Sequence, residues 1–180
     1  MLSVEELDLK GAWQIRSPIY TDQRGFFRDW FKQDEIKQKT GLDFSVAQAS
    51  FSLSKKNVAR GIHANRIGYK QRKVVNIVSG SICDIIIDLR PTSPTFTKWI
   101  SLELNAHDGK SLLLSEGLGH AFLAREDDTV VSYGFSAIYA PNKEIVINIQ
   151  DPEINIEWPI TDLIISSRDS SAPLLREEEL

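Results

Sequence analysis

The chain has 180 residues, of which 42% are hydrophobic, a composition typical of one ordinary globular domain. A domain of this length buries roughly 70% of its unfolded surface, so it needs neither disulfides nor a structural metal to fold. The 21 Lys and Arg residues are outnumbered by 25 Asp and Glu residues, which gives a formal net charge of −4. We therefore expect neither a nucleic-acid nor an anionic-membrane surface, because both need a basic face.

The sequence shows few signals for targeting or for a domain boundary. The N-terminus has neither the basic start nor the apolar stretch of a signal peptide, and no run approaches the ~20 apolar residues of a membrane helix. The single cysteine, Cys83, excludes an intrachain disulfide. We expect a reduced, cytoplasmic, single-domain protein over residues 1–180, with an N-terminal strand region at about residues 1–30. A C-terminal segment at about residues 151–180 is expected to pack near the site, and its charged run Arg176–Glu179 to be solvated.

The predicted elements are mostly strands. Gln33–Thr40 is the one clear helix, with Gly41 as its C-cap. In Lys73–Arg90, two runs rich in β-branched residues flank Gly80, which predicts two strands joined by a hairpin or a tight corner. A second short helix is expected within the last thirty residues. Further strands are predicted at Thr97–Leu104, Ser111–Leu114, His120–Arg125, Thr129–Phe135 and Glu144–Ile149, a spacing that favours an all-β sandwich or barrel.

Alternation along these strands assigns side chains to opposite faces. Lys73 shares a face with Val75 and Ile77, and the same rule groups Tyr133 with its neighbours two positions away. A small barrel has a narrow interior, so a polar group that points inward is either hydrogen-bonded or functional.

Three histidines are available for chemistry. His107 lies in a polar, turn-like stretch and is expected at the surface, whereas His63 and His120 each follow a glycine-containing approach to a strand. Metal-binding cupins usually place two histidines one residue apart on a strand, but this position reads His63-Ala64-Asn65. One imidazole without clustered partners is a poor site for a first-row metal, so we expect no metal. Ordinary polar residues at a barrel rim remain the simplest interpretation of His63 and His120.

Proton transfer is the other chemistry that the residue types allow. A neutral imidazole with a pKa near ~6.5 accepts a proton at physiological pH, and a carboxylate on its second nitrogen fixes its tautomer. A phenol with a pKa near ~10 is a credible acid, and a lysine stabilises a developing enolate oxygen. Residues for all four roles are present, but spacing alone does not bring them together. Tyr133 as a core aromatic and Lys73 as a strand-edge residue remain open alternatives.

A series of short motifs runs along nearly the whole chain. They are Asp22–Phe27 (DQRGFF), Gln48–Ser52 (QASFS), Arg60–His63 (RGIH), Gln71–Val75 (QRKVV), Asp84–Arg90 (DIIIDLR), Ser93–Phe96 (SPTF), Glu116–Phe122 (EGLGHAF), Tyr139–Pro141 (YAP) with Glu144, Asp151-Pro152, and Ser166–Asp169 (SSRD) before Ala172–Leu174. In this order, the motifs resemble those of the dTDP-4-dehydrorhamnose 3,5-epimerase family, the cupin-fold epimerases of deoxysugar biosynthesis.

The resemblance implies a cupin-type double-stranded β-helix, a jelly-roll barrel with a few short helices. It implies an epimerase that acts on a dTDP-4-keto-6-deoxyhexose at C5, C3 or both. By motif position, His63 with Asp169 removes the proton next to the C4 ketone. Tyr133 returns a proton from the opposite face of the sugar, and Lys73 steadies the enolate oxygen. No cofactor is implied, because the ketone supplies the acidity and no redox change occurs.

The resemblance also implies a set of ligand contacts and a homodimer. Tyr139 matches an aromatic residue that stacks on thymine, and the arginines suit a diphosphate, whose oxygens a guanidinium binds in pairs. In the family an N-terminal strand crosses to the partner's sheet, and Gly11–Tyr20 is the candidate here. The implied substrate contacts are Arg24, Asp29, Gln48, Ser50, Arg60, His120, Tyr139, Glu144 and Arg168.

Some positions depart from the family pattern. Gln48–Ser52 reads Gln-Ala-Ser-Phe-Ser where the family usually has Gln-Asp-Asn-His-Ser, Asp29 stands in place of a common Glu, and Arg168 in place of a common Lys. The sequence of Leu114–His120 (LSEGLGH) resembles that of the family branch whose enzymes act in the synthesis of antibiotic and other unusual deoxysugars. Some members of that branch epimerise one carbon. A non-catalytic cupin that binds a sugar nucleotide is the alternative, but it would show a broken proton-transfer set, and this set is complete.

Overall fold

The computed structural model describes residues 1–180 and consists mainly of short strands. Two short helices, α1 (Gln33–Thr40) and α2 (Ser167–Ser170), and a single 3-10 turn at Leu175–Glu177 complete it. In chain order the strands are β1 (Ser3–Glu6), β2 (Ala12–Arg16), β3 (Tyr20–Asp22), β4 (Gly25–Phe27), β5 (Gln48–Ser54), β6 (Val58–Asn65), β7 (Lys73–Ser79), β8 (Ser81–Asp88), β9 (Trp99–Asn105), β10 (Lys110–Leu114), β11 (Leu118–Ala124), β12 (Thr129–Phe135), β13 (Glu144–Val146) and β14 (Ile164–Ile165).

The strands form two main sheets and one separate hairpin. Sheet one has the order β1-β2-β10-β7-β12-β5, and sheet two the order β13-β6-β11-β8-β9, with β14 added parallel to β6. All the other pairs are antiparallel, and β3 pairs with β4 alone. This two-sheet arrangement confirms the predicted all-β, cupin-type jelly roll.

The strands predicted from Thr97 to Ile149 are confirmed as β9 to β13, with ends that differ by a few residues. The turn at Gly80 is a corner rather than a hairpin, because β7 continues into sheet one and β8 into sheet two. Gly80 has a φ of 75°, and an added Cβ would lie 2.4 Å from the Thr129 hydroxyl. Only glycine fits such a turn without strain.

Helix α1 has the predicted limits and packs on the outer face of sheet one. Gly41 caps it in the left-handed conformation at φ 74°, and its N–H donates to the Lys37 carbonyl at 2.9 Å. Ile36 is fully buried against a cluster that includes Ile15 and Phe44. The helix therefore covers part of that outer face.

Two further apolar clusters hold the sheets. One fills the space between them and includes Val75, Leu112, Phe122 and Val131. The other lies on the far side of sheet two beneath the C-terminal residues. Burying this much aliphatic surface between and behind the sheets stabilises the barrel and fixes the direction of every strand side chain.

The C-terminal segment is tied to the barrel by polar contacts. The Asp151 carboxylate accepts hydrogen bonds from the backbone N–H groups of Ile154 at 2.9 Å and Leu175 at 2.7 Å. Arg66 pairs with Glu178 at 2.9 Å, and the Glu178 side chain is only 15% exposed. The expectation that Arg176–Glu179 is simply solvated is therefore wrong at this position, because Arg66 reaches the chain end.

The expected intersubunit strand lies inside its own sheet. Within Gly11–Tyr20, residues Ala12–Arg16 form β2, which pairs with β1 on one side and β10 on the other. With both edges occupied, β2 has no free backbone groups for a partner sheet, so the prediction that it crosses to another subunit is wrong. No helix in the structure is long and apolar enough to span a bilayer.

Candidate active site

A cavity of about 260 Å³ opens between the two sheets at one end of the barrel. Strands β5, β7 and β12 of sheet one and β6, β11 and β13 of sheet two contribute its walls. Most of the predicted site residues line it, namely His63, Lys73 and Tyr133 together with Ser50, Arg60, His120, Tyr139 and Glu144. The sheet packing thus brings together residues that are far apart in sequence.

His63 and Asp169 form a hydrogen-bonded pair at the wall of the cavity. His63 Nε2 lies 2.9 Å from Asp169 Oδ1, and the backbone N–H of Gly61 donates to Asp169 Oδ2 at 3.3 Å. Burial alone would raise the pKa of Asp169, but the hydrogen bonds from His63 and Gly61 lower it below its usual range. An ionised Asp169 accepts a hydrogen bond from the Nε2–H of a neutral imidazole, which leaves the Nδ1 lone pair of His63 to act as a base.

A short helix positions Asp169 behind the imidazole. The Ser166 hydroxyl accepts a hydrogen bond from the Asp169 N–H at 3.1 Å and so caps α2 at its first turn. Asp169 itself is only 3% exposed, whereas the His63 side chain is half-buried and reaches the cavity. The carboxylate is therefore screened from solvent while the imidazole stays accessible to a ligand.

Tyr133 lies on the opposite sheet from His63. It belongs to β12 of sheet one and His63 to β6 of sheet two, and both line the same cavity. Burial raises the pKa of Tyr133 to about 12, and its hydroxyl lies 3.5 Å from the Ser52 hydroxyl. The Tyr133 ring stacks on Phe135 at 6.0 Å between centroids. A neutral phenol and an imidazole thus line the same cavity from opposite sheets.

Lys73 lines the same cavity as these two groups. Its Nζ donates to the His63 carbonyl oxygen at 3.4 Å. Burial lowers the pKa of the Lys73 ammonium to about 8, although the negative charges of Asp84 and Glu144 raise it. A cation that is poorly solvated in this way gains from any anion that develops in the cavity.

A second His–Asp pair, His120 with Asp84, lies at the cavity, which His120 lines. His120 Nε2 lies 2.6 Å from Asp84 Oδ2, and His120 stands directly opposite His63 in the β11–β6 pairing. Burial lowers the pKa of His120, against the raising effect of Asp84. Asp84 was not predicted as a site residue, although a lone acid inside an apolar, β-branched strand is a recognisable signal of a buried polar contact.

Polar contacts organise the mouth of the cavity. Glu144 Oε2 accepts from the Tyr139 hydroxyl at 2.7 Å and from Arg168 Nη2 at 2.5 Å. The Gln48 side-chain oxygen accepts from the Tyr139 N–H at 2.7 Å, so Gln48 lies at the rim although it does not line the cavity. Tyr139 remains half exposed. Its ring is an accessible flat surface beside a guanidinium.

Sequence reasoning missed several residues that also line the cavity, namely Ser52, Asn65, Gln71, Phe122 and Phe135.

Two predicted contacts do not reach the cavity of their own chain. Arg24 is at the turn of the β3–β4 hairpin, where it pairs with Asp22 at 2.5 Å and is 85% exposed. Asp29 pairs with Lys32 at 2.9 Å. Neither residue lines the cavity of its own chain, because β3 and β4 form a separate sheet that pairs with neither wall of the barrel and Asp29 follows β4. Their role as substrate contacts stays a prediction.

The structure contains no group of three or more His, Cys, Asp or Glu side chains arranged to hold a metal ion. His107 is exposed in the turn after β9, as predicted.

Comparison with known proteins gives a consistent family assignment. The family model described as dTDP-4-dehydrorhamnose 3,5-epimerase matches residues 6–177. A dTDP-4-dehydrorhamnose 3,5-epimerase from Mycolicibacterium smegmatis is 41% identical over 179 residues, which cover 99% of this chain and 88% of the relative.

Two solved structures share the fold closely. NovW, a 4-keto-6-deoxy sugar epimerase from the novobiocin gene cluster of Streptomyces spheroides, has a TM-score of 0.94 and 36% identity, and the match covers 98% of this chain and 89% of NovW. ChmJ, a 3′-monoepimerase from Streptomyces bikiniensis solved with dTDP-quinovose, has a TM-score of 0.90 and 37% identity over 94% of this chain and 86% of ChmJ. With the family model matched along almost its whole length, this chain belongs to the dTDP-4-dehydrorhamnose 3,5-epimerase family of carbohydrate isomerases.

Proposed function

We propose that this protein epimerises a dTDP-linked 4-keto-6-deoxy sugar at C3, C5 or both, by proton transfer at the carbon next to the ketone. The observation that carries the proposal is the placement of His63 and Tyr133 on opposite sheets of one cavity, with Asp169 bonded to the far side of the imidazole. Inversion of a carbon centre needs a base on one face and an acid on the other. Opposed sheets supply that relation.

The proposed reaction begins at His63. Its Nδ1 takes the proton from the carbon beside the ketone, and the C–H electron pair moves into the ring bond as the carbonyl electrons move to oxygen. Asp169 stabilises the imidazolium that forms. Lys73 stabilises the enolate oxygen by charge and hydrogen bonding.

The reaction ends at Tyr133. The enolate collapses to the ketone while its carbon takes the phenolic proton from the opposite face, which inverts the centre. Proton exchange with solvent then restores the phenol and the neutral imidazole. The high pKa of Tyr133 keeps its proton in place until an enolate is there to accept it. The ketone makes the neighbouring C–H acidic and no redox change occurs, so this chemistry needs no cofactor.

The rim of the cavity fits a nucleotide. Tyr139 offers a half-exposed ring for stacking on a base. Arg60 lines the cavity and Arg168 pairs with Glu144 at its mouth, and a guanidinium binds two phosphate oxygens at once. The complex of ChmJ with dTDP-quinovose supports a thymidine diphosphate sugar as the ligand. The proposed place of action is the cytoplasm, in keeping with a single, buried, reduced cysteine.

Solvent deuterium wash-in tests the proposed chemistry. The wild type, incubated with dTDP-4-keto-6-deoxyglucose in D₂O, is expected to place deuterium at C3, C5 or both, read by NMR. His63→Asn and Tyr133→Phe remove the base and the acid, so each should lose about 10²–10⁴-fold in turnover. Both should still bind dTDP in titration calorimetry, because neither group belongs to the rim.

The exposed His107 provides the control, and His107→Asn should exchange at the wild-type rate. Binding of dTDP without any exchange by the wild type would instead indicate a non-catalytic sugar-nucleotide-binding cupin. Full activity in His63→Asn would remove the base assignment while leaving the family assignment in place.

We further propose that the protein is a homodimer in which the β3–β4 hairpin of each copy covers the other. The hairpin contacts neither sheet through backbone pairing and exposes Tyr20, Phe26 and Phe27 at 59%, 44% and 63%. An isolated two-stranded hairpin is marginally stable in water, so it needs a surface to pack against. Edge strand β5, beside the cavity, exposes Phe51 and Leu53. Contact between these two apolar regions would carry Arg24 to the partner's cavity.

A further inference from the structure

Asp84 is a buried carboxylate that the proposed reaction does not use. It lies on β8, is 0% exposed and accepts one side-chain hydrogen bond, from His120. Its second oxygen, Oδ1, is also buried and has no hydrogen-bond partner in the protein. A carboxylate with half of its acceptors unused in an apolar interior is costly, unless its charge serves another group.

Lys73 is the cation that faces this carboxylate. The titratable groups around its ammonium are His63 on β6, Asp84 on β8, His120 on β11, Tyr133 on β12 and Glu144 on β13. No carboxylate lies within ion-pair distance of Lys73 Nζ, whose hydrogen bond goes to a backbone carbonyl. Its charge must therefore be supported at longer range.

The two carboxylates near Lys73 are not equivalent. Glu144 already pairs with Arg168 and accepts from the Tyr139 hydroxyl, so its charge is largely offset. Asp84 is bonded to His120, whose pKa burial lowers, so that this imidazole is neutral at physiological pH. A neutral partner leaves the negative charge of Asp84 uncompensated, and this charge raises the pKa of Lys73.

We propose that Asp84 is a positioning residue that keeps Lys73 charged in the cavity and fixes His120 through Nε2, an inference that rests on the proposed function. With Nε2–H donated to Asp84, the Nδ1 lone pair of His120 is left to accept a hydrogen bond from a sugar hydroxyl. One carboxylate then sets both the charge that stabilises the enolate oxygen and the direction of a ligand contact.

The pH dependence of kcat/KM tests this role, because kcat/KM reports the ionising groups of the free enzyme. The pKa of Lys73 is about 8 and that of Tyr133 about 12, so the alkaline limb of kcat/KM between pH 7 and 9 belongs to Lys73. Asp84→Asn keeps the shape of the side chain but removes its charge. The limb should move to lower pH by roughly one unit or more, since a close opposite charge shifts a pKa by that amount. The affinity for dTDP should not change, because the rim is untouched.

Asp88→Asn is the matched control. Asp88 lies on the same strand, is equally buried and is held by Arg90, Ser93 and Thr95 instead of by cavity residues. This variant should lose stability in thermal unfolding but keep the wild-type alkaline limb. An alkaline limb at the same pH in Asp84→Asn and Asp88→Asn would overturn the proposal.

A second variant keeps the test decisive if Asp84→Asn does not fold. Lys73→Arg carries a charge that does not titrate in this range, so its residual activity should show no alkaline limb near pH 8. A limb that persists in Lys73→Arg overturns the proposal. The absence of exchange in the wild type at every pH would instead reject the proposed function, so the two failures are distinguishable.

Discussion

Lys73 is held where its charged form is least stable. The folded protein lowers the pKa of this ammonium to about 8 by burial, whereas an unfolded chain would leave it near 10.4. The folded state therefore binds the lysine proton more weakly than the unfolded state. Below pH 8 the charged lysine costs stability, and the cost disappears as the pH rises toward 10.4. The same burial that lowers stability leaves a poorly solvated cation, which would stabilise an enolate strongly.

Replacing Lys73 should separate stability from activity. Lys73→Met fills similar space without a charge, so its free energy of unfolding at pH 7 should exceed that of the wild type by about 1–3 kcal/mol. The difference should shrink as the pH rises from 8 to 10, and deuterium exchange should fall at every pH. Urea unfolding across this range measures it, with Lys55→Met at an exposed turn as control. A variant less stable than the wild type at pH 7 would contradict this account of Lys73.

At the scale of elements, strand β6 aligns the two histidines. His63 on β6 pairs with His120 on β11, and the register then shifts between His120 and Phe122. Gly61 lies beside this irregularity with a φ of 127°. An added Cβ would lie 2.4 Å from the Ala121 Cβ and 2.8 Å from the His120 carbonyl oxygen. The close approach of the two backbones at Gly61 is therefore part of how the site is assembled.

Gly61→Ala should disturb both the fold and the site. The new methyl group forces β6 and β11 apart, so we expect a loss of at least about 2 kcal/mol in stability and a drop in exchange rate. Gly68→Ala is the matched control, because its φ of 93° is also positive but nothing lies within 4 Å of an added Cβ. That variant should lose only about 1 kcal/mol, with exchange unchanged. Equal losses in thermal unfolding would show that backbone strain, and not strand contact, dominates.

Periodicity predicts the elements whose packing is decided locally. Strands β7, β8 and β12 carry apolar runs rich in β-branched residues, and β9 to β11 carry apolar residues bounded by turns. Helix α1 ends at a glycine cap, so these elements are predicted from the sequence. Strand β6 contains Arg60-Gly61 and polar residues that face the cavity, so the sequence indicates a strand near His63 but no alternation gives its limits. It exists because β11, β13 and β14 pair with it.

The residues of the candidate site likewise fall into those that the sequence predicts and those that only the structure reveals. The resemblance supplied His63, Asp169, Tyr133 and Lys73, which the fold gathers around one cavity or directly behind its wall. It did not supply Asp84, whose part depends on the three-dimensional environment of Lys73. The positions of Arg24 and Asp29 depend on a hairpin that pairs with neither main sheet, and no local pattern can reveal what such a hairpin meets.

At the scale of the whole molecule, exposed apolar residues lie in two places, on strand β5 beside the cavity and on the β3–β4 hairpin. Strand β5 forms an edge of sheet one, with Ser50 and Ser52 turned toward the cavity and Phe51 and Leu53 exposed on the other face. The hairpin that carries Arg24 exposes aromatic residues of its own. In a two-fold dimer, the hairpin of each copy would pack on β5 of the other, so one symmetric interface would bury both apolar regions.

Sedimentation equilibrium of the wild type and of two aromatic variants tests this assembly. The wild type should have the mass of a dimer, and Phe27→Ser and Phe51→Ser should each shift it toward the monomer, because each removes apolar area from the proposed contact. Ile164→Ser, at an apolar position on β14 of sheet two that is 54% exposed, should remain dimeric. The monomeric variants should also bind dTDP more weakly, since Arg24 would no longer reach the partner's cavity. A monomeric wild type, or a dimer that both serine variants leave intact, would contradict the proposed contact and return Arg24 to the surface of its own chain.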